Sequence, residues 1–89
     1  PQTEVQKVSL VEKGIEAFGN TIPIKYHNIT TLYLSNNCID DLHGIEVFVK
    51  LKILSLANNN LDTFTQLDPI KELKSLQILN LEFNKVTYL

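Results

Sequence analysis

The hydrophobic positions change their spacing within residues 32–42, LYLSNNCIDDL. Leu32 and Leu34 alternate with other residues, whereas Ile39 and Leu42 are three residues apart. Alternation places side chains on one face of a β-strand. A spacing of three suits a 3₁₀ turn, in which residues i and i+3 eclipse each other. The stretch therefore predicts a short strand, a turn at the asparagine pair and a return segment of 3₁₀ or extended backbone.

The same pattern recurs along the chain. LSLANNNLDTF begins at Leu54 and LNLEFNKVTYL at Leu79, so the copies that follow Leu32 come at intervals of 22 and 25 residues. A weaker copy, VSLVEKGIEAF, occupies residues 8–18. Repetition at a period in the twenties is typical of a solenoid, in which each unit packs on its neighbours. We predict one domain over residues 1–89, with a degenerate unit at about 5–28, units at about 29–50 and 51–75, and an incomplete unit at 76–89.

The shared pattern, L-x-x-L-x-L-x-x-N-x-I-x-x-(L/I), resembles the leucine-rich repeat. The 22-residue unit is similar to the short intracellular class found in regulatory subunits of protein phosphatase 1 and in axonemal and centrosomal proteins. The resemblance implies an α/β solenoid with a right-handed superhelical path. Its short parallel sheet would lie on the concave side, and 3₁₀ or loop segments would lie on the convex side.

Three asparagines stand at the turn that follows each strand: Asn37, Asn59 and Asn84. A buried turn leaves backbone N–H and C=O groups without partners, and each such group costs about 1–3 kcal/mol. An inward asparagine amide carries both a donor and an acceptor. We therefore predict that these residues form a structural ladder and take no part in binding.

The return segment of the third unit contains LDPIKELKSL and differs from the others. Asp68 can cap a helix, and Pro69 suits the first helical position. Ile70, Leu73 and Leu76 would then face inward. The sequence predicts one short α-helix near residues 69–75.

The predicted register also defines the side chains that point outward from the concave face. The large apolar ones are Tyr33, Ile53, Ile78 and Phe83, which we predict to anchor a partner. The polar residues predicted to surround them are Asn36, Ser55, Asn58, Asn80 and Glu82. Apolar anchors among small polar residues are typical of a protein-binding surface.

Composition narrows the class of partner. The chain has a net charge of −2 and therefore lacks the basic excess that phosphate contacts require, so we expect no nucleic-acid partner. No apolar run is long enough to span a membrane. Cys38 is the single cysteine, and a secreted module of this size usually carries several. We therefore expect a cytoplasmic protein, with the cytoskeleton, centrosome or cilium as possible sites.

The sequence contains no pattern that predicts catalysis. His27 and His43 fall on return segments without a paired nucleophile, and together with Cys38 they lack the spacing of a zinc site. With three glycines in the chain, no glycine-rich phosphate loop is present. We predict no catalytic residues, no metal site and no cofactor.

These observations favour a non-catalytic intracellular interaction module, a scaffold or targeting domain that binds a protein through its concave face. A first alternative is part of a regulatory subunit of a phosphatase or of a cytoskeletal or ciliary motor complex. A second is homo-oligomerisation, because Val86, Leu89 and the last strand would form an open edge. The chain begins at Pro1, and we expect it to be a fragment of a longer protein.

Overall fold

A computed structural model describes residues 5–18 and 23–86. Its four strands form one parallel sheet in chain order. The strands are β1 (Lys7–Ser9), β2 (Thr31–Tyr33), β3 (Ile53–Ser55) and β4 (Ile78–Asn80). One short strand per repeat, each paired with the next, is the arrangement that the repeat pattern predicts. The predicted solenoid architecture is confirmed.

The strands pair in the register given by the leucine spacing. Leu32 lies opposite Val8 on one side and Leu54 on the other, and Leu54 lies opposite Leu79. The unequal intervals between the repeats do not shift the strands, because the extra residues are taken up by the return segments. This matters for function, since a slip of one residue would turn every side chain to the opposite face of the sheet.

The core is concentrated in the second and third units. The buried hydrophobic residues are Ile29, Leu32, Leu34, Ile39, Leu42, Ile45, Phe48, Leu51, Leu54, Leu56, Leu61 and Leu73. In the first unit, Val8, Ile15 and Phe18 pack against this core but are only partly buried. Val86 does the same at the other end, whereas Leu89, predicted to lie at an open edge, falls outside the described residues.

The return segments contain 3₁₀ helices, at Ile24–Tyr26, Ile45–Val47 and Phe64–Glu72. The first begins after Pro23, whose φ of −54° suits a helix start. The second begins after Gly44, whose φ of 105° lies in the left-handed region that glycine enters without strain. The period of three in the sequence is therefore expressed as 3₁₀ backbone.

The prediction of a short α-helix near residues 69–75 is wrong in type and position, because that segment belongs to the 3₁₀ helix Phe64–Glu72. The helix begins earlier because Gln66 Oε1 accepts hydrogen bonds from the backbone N–H groups of Asp62 and Thr63, at 2.7 and 2.9 Å. Asp68 does not cap a helix but instead forms an ion pair with Lys71 at 3.2 Å. Hydrophobic residues three apart fit 3₁₀ geometry better than the 3.6-residue turn of an α-helix.

Candidate functional site

The solvent-facing side of the sheet, which we call the strand face, is built by simple alternation. In β3, Leu54 is fully buried while Ile53 and Ser55 on either side of it are half-exposed. The same alternation applies to the other units. The strand face of the second to fourth units is lined by Tyr33, Ser35, Ile53, Ser55, Ala57, Ile78, Asn80 and Glu82.

The four predicted anchors occupy different places on this face. Ile53 and Ile78 are register partners on neighbouring strands, and 54% of Ile78 is exposed. Tyr33 is half-buried on β2, and the Lys7 Nζ atom lies 5.9 Å from the centroid of its ring. Phe83, 80% exposed, follows β4 and so lies two strands, or about 10 Å, across the sheet from Tyr33. The structure thus places the isoleucine pair together, between two separate aromatic rings.

The predicted polar residues of the strand face hydrogen-bond to one another. The hydroxyl oxygens of Ser35 and Ser55 are 2.8 Å apart. Asn58 Nδ2 donates to Asn36 Oδ1 at 2.7 Å. These pairs link neighbouring units and hold the floor of the face in one arrangement. They supply a rigid frame in addition to any contact with a partner.

Asn80 and Glu82 complete the predicted polar set. The Asn80 Oδ1 atom accepts a hydrogen bond from the Glu82 backbone N–H at 2.9 Å, which fixes the turn after β4. The side chain of Glu82 is exposed beside Phe83. The carboxylate therefore gives this end of the strand face a negative charge next to an aromatic ring.

A left-handed turn recurs after each strand, which sequence reasoning missed. Glu12, Asn36, Asn58 and Phe83 have φ values of 59°, 60°, 57° and 61°. Asparagine tolerates this conformation, whereas a bulky residue such as phenylalanine is an outlier there. The signal available in the sequence was the doubled asparagine at 36–37, which recurs at 58–59. At Phe83 the backbone is strained and the ring is exposed, so the core gains little from the phenylalanine.

The next asparagine in each turn ties neighbouring units together. Asn59 Oδ1 accepts from the Ile39 N–H of the preceding unit at 3.0 Å, and its Nδ2 donates to Leu34 O and Leu56 O, each at 3.0 Å. Asn37 and Asn84 repeat this arrangement: Asn37 Oδ1 accepts from Ile15 N at 3.1 Å and Asn84 Oδ1 from Leu61 N at 3.1 Å. These amides are occupied by the backbone of two units.

An apolar cavity of about 360 Å³ lies between the first and second units. Its lining includes Val8, Leu10, Ile15, Phe18, Tyr26, Ile29, Leu32, Leu34 and Phe48. The first unit carries smaller or less buried side chains than the units that follow, and the packing there is correspondingly looser. The lining offers hydrophobic contact and little polar chemistry.

On the return side, Asp41 and His43 form a polar pair with 2.7 Å between Asp41 Oδ1 and the ring Nδ1. The His43 backbone N–H, followed by its ring, holds the pKa of the Asp41 carboxyl below its ordinary value. The carboxylate in turn raises the pKa of His43. Cys38 is an exposed free thiol nearby in sequence. Within residues 5–18 and 23–86, no three metal-ligating side chains gather at one point.

Comparison with known proteins agrees with this geometry. Residues 27–69 match the family described as Leucine Rich repeats (2 copies). The Serine/threonine-protein kinase 11-interacting protein of Gallus gallus is 38% identical over 60 residues. That alignment covers 67% of this chain and 6% of the relative, so the chain spans only a small part of the relative's length. In the part of the chain that the structure describes, no helix is long and apolar enough to cross a membrane.

Proposed function

We propose that this chain, which belongs to the leucine-rich repeat family, is a non-catalytic protein-interaction module that binds a partner protein across the strand face. The family is one of protein-interaction modules, which supports a protein as partner. The observation that carries the proposal is the exposure of large apolar side chains that the core does not use. Phe83 and Ile78 are 80% and 54% exposed on one face.

The chemistry of the strand face suits an extended or helical segment of a partner. Aromatic and branched aliphatic anchors contribute most of the affinity at protein interfaces when they are fully desolvated. Here Ile53 and Ile78 would bury aliphatic surface, while Tyr33 and Phe83 would flank the bound segment. The serine and asparagine pairs hold the backbone between the anchors in place, so little ordering is required on binding.

The chicken relative is named as an interacting protein of a serine/threonine kinase. For this chain we propose only the general property, the binding of a protein, because the aligned region is a small part of the relative. We also propose an intracellular setting, supported by the single cysteine and by the resemblance of the repeat to intracellular classes. A phosphatase or motor assembly is a possible setting of the same activity.

Affinity capture from cells tests the proposal. The wild-type chain is compared with a Tyr33→Ala/Phe83→Ala double variant, and bound proteins are quantified by mass spectrometry. Loss of two aromatic anchors should lower the recovery of a specific partner at least tenfold, since a single hot-spot residue contributes about 2 kcal/mol or more.

The matched control is Ile24→Ala, which removes an aliphatic side chain that is 81% exposed on the return side. This variant should retain the partner at the wild-type level. Equal recovery with the double variant and the wild type would overturn the proposal. Loss with Ile24→Ala alone would move the binding surface to the return side.

A further inference from the structure

The sheet joins its units with a repeating set of backbone hydrogen bonds. Leu34 N donates to Ser55 O at 2.9 Å, and Leu56 N donates to Asn80 O at 2.8 Å. The same direction holds one step later in the chain, where Asn58 N donates to Glu82 O at 2.8 Å. Each unit therefore offers N–H donors to the C=O acceptors of the unit that follows.

The two ends of the sheet carry the two halves of this pattern. At β4 the equivalent donors are the N–H groups of Leu81 and Phe83, and within the described residues no fifth strand follows β4. At β1 the equivalent acceptors are the C=O groups of Ser9 and Val11, and no described strand precedes β1. One end of the sheet thus presents donors at the spacing with which the other end presents acceptors.

The side chains at the ends match in the same way. Leu79 is 38% exposed, whereas Leu32 and Leu54 in the same row are 2% and 0% exposed. Leu10 is also 38% exposed, although its counterparts in the central units are fully buried. Each end therefore shows apolar surface that is covered wherever another unit packs against it.

We propose that copies of this chain associate end to end, with the β4 edge of one copy pairing in parallel with the β1 edge of the next. The N–H groups of Leu81 and Phe83 would donate to the C=O groups of Ser9 and Val11 on the second copy. The contact joins two different surfaces, so it does not close at a dimer and allows further copies to add. This inference is independent of the strand-face proposal, because it uses the edges of the sheet.

The joint is weaker than an interior contact. Lys13 stands where the ladder asparagine stands in later units. An asparagine amide accepts an N–H and donates to a C=O, whereas a lysine ammonium only donates. One rung of the ladder is therefore incomplete at the joint. Association should accordingly depend on protein concentration and reverse on dilution.

A pair of matched variants tests the geometry. Leu10→Lys places a charge at the β1 end and Leu79→Lys places one at the β4 end, and the two leucines are equally exposed. In sedimentation velocity the average mass of the wild type should rise with concentration beyond that of a dimer. Each variant alone should remain monomeric. An equimolar mixture should form a heterodimer, because each variant retains the end that the other has lost.

Two further variants keep the test independent of partial unfolding. Ser9→Pro removes an N–H that points away from β2, since the neighbouring Leu10 N–H points toward it, and it should reduce association without touching the core. Val49→Lys, at a return-side position that is 60% exposed, should associate like the wild type. A wild type that stays monomeric at all concentrations, a wild type that stops at a dimer, or a mixture that stays monomeric would each overturn the proposal.

Discussion

The central and terminal units of this chain are built from the same sequence pattern but differ in what the pattern achieves. The central leucines Leu32 and Leu54 are almost wholly buried, whereas Leu79, in the same row, is 38% exposed. Asn59 is 5% exposed and bonds to two units, while the first unit has Lys13 at the equivalent position. Burial in a solenoid is a property of adjacent pairs of units, because neither face of a unit is covered without a neighbour.

The largest expected effect comes from truncating one leucine in each region. Leu54→Ala should lower the free energy of unfolding by about 3–5 kcal/mol, because it leaves a cavity in a closed core. Leu79→Ala should lower it by about 1–2 kcal/mol, because part of that side chain already contacts solvent. Urea denaturation of both variants at low protein concentration measures the difference. Equal losses would mean that the two regions are packed alike.

The sequence predicted the central region well because its signals are redundant there. The leucine alternation fixed the strands and the facing residues, and the repeated intervals fixed the register. The type of the return helix at Phe64–Glu72 was not predictable in the same way. Its start depends on the Gln66 side chain reaching back to the N–H of Thr63, a contact that competes with the cap proposed at Asp68.

The candidate site was predicted only in part. Alternation correctly separated the inward from the outward side chains, so Ile53 and Ile78 were recognised as neighbours. The left-handed backbone at Phe83 was missed, because phenylalanine gives no local indication of that conformation. The asparagines at positions 36 and 58 do give one, but the inference requires knowledge that the turn is repeated in every unit.

An intermediate effect is expected at this turn. Phe83→Asn should raise the free energy of unfolding by about 1 kcal/mol, because it relieves a bulky residue from the left-handed region. The reverse change in a central unit, Asn58→Phe, should lower it and also break the hydrogen bond to Asn36. Thermal denaturation of the two variants compares them directly. A lower melting temperature for Phe83→Asn would show that the ring stabilises the fold.

The smallest expected effect is the pH dependence of the exposed Asp41–His43 pair. The raised pKa of His43 adds stability that is present below its ordinary pKa of 6.5 and is lost as the pH rises through the raised value. The lowered pKa of Asp41 adds stability that is present above its ordinary pKa of 3.8 and is lost as the pH falls through the lowered value. The pair should therefore contribute most between these two ordinary pKa values.

An NMR titration of the His43 ring in the wild type and in Asp41→Asn measures this effect. The pKa of His43 should fall in the variant, because the carboxylate that favours the protonated ring is gone. An unchanged pKa would mean that the pair does not form in solution. Such a result would leave the buried units unaffected, since both side chains lie on the surface.

The most direct test of the central claim is native-state hydrogen exchange of backbone amides that are all hydrogen-bonded but lie in different units. The Leu34 and Ile39 amides, which bond to Ser55 O and Asn59 Oδ1, should exchange most slowly. The Leu10 and Lys85 amides bond to Tyr33 O and Leu61 O at a similar distance of 2.8 Å, yet they should exchange faster. That gradient is predicted if a unit needs a neighbour on both sides to be stable. Equal protection of all four amides, or the strongest protection at Leu10 or Lys85, would contradict the account.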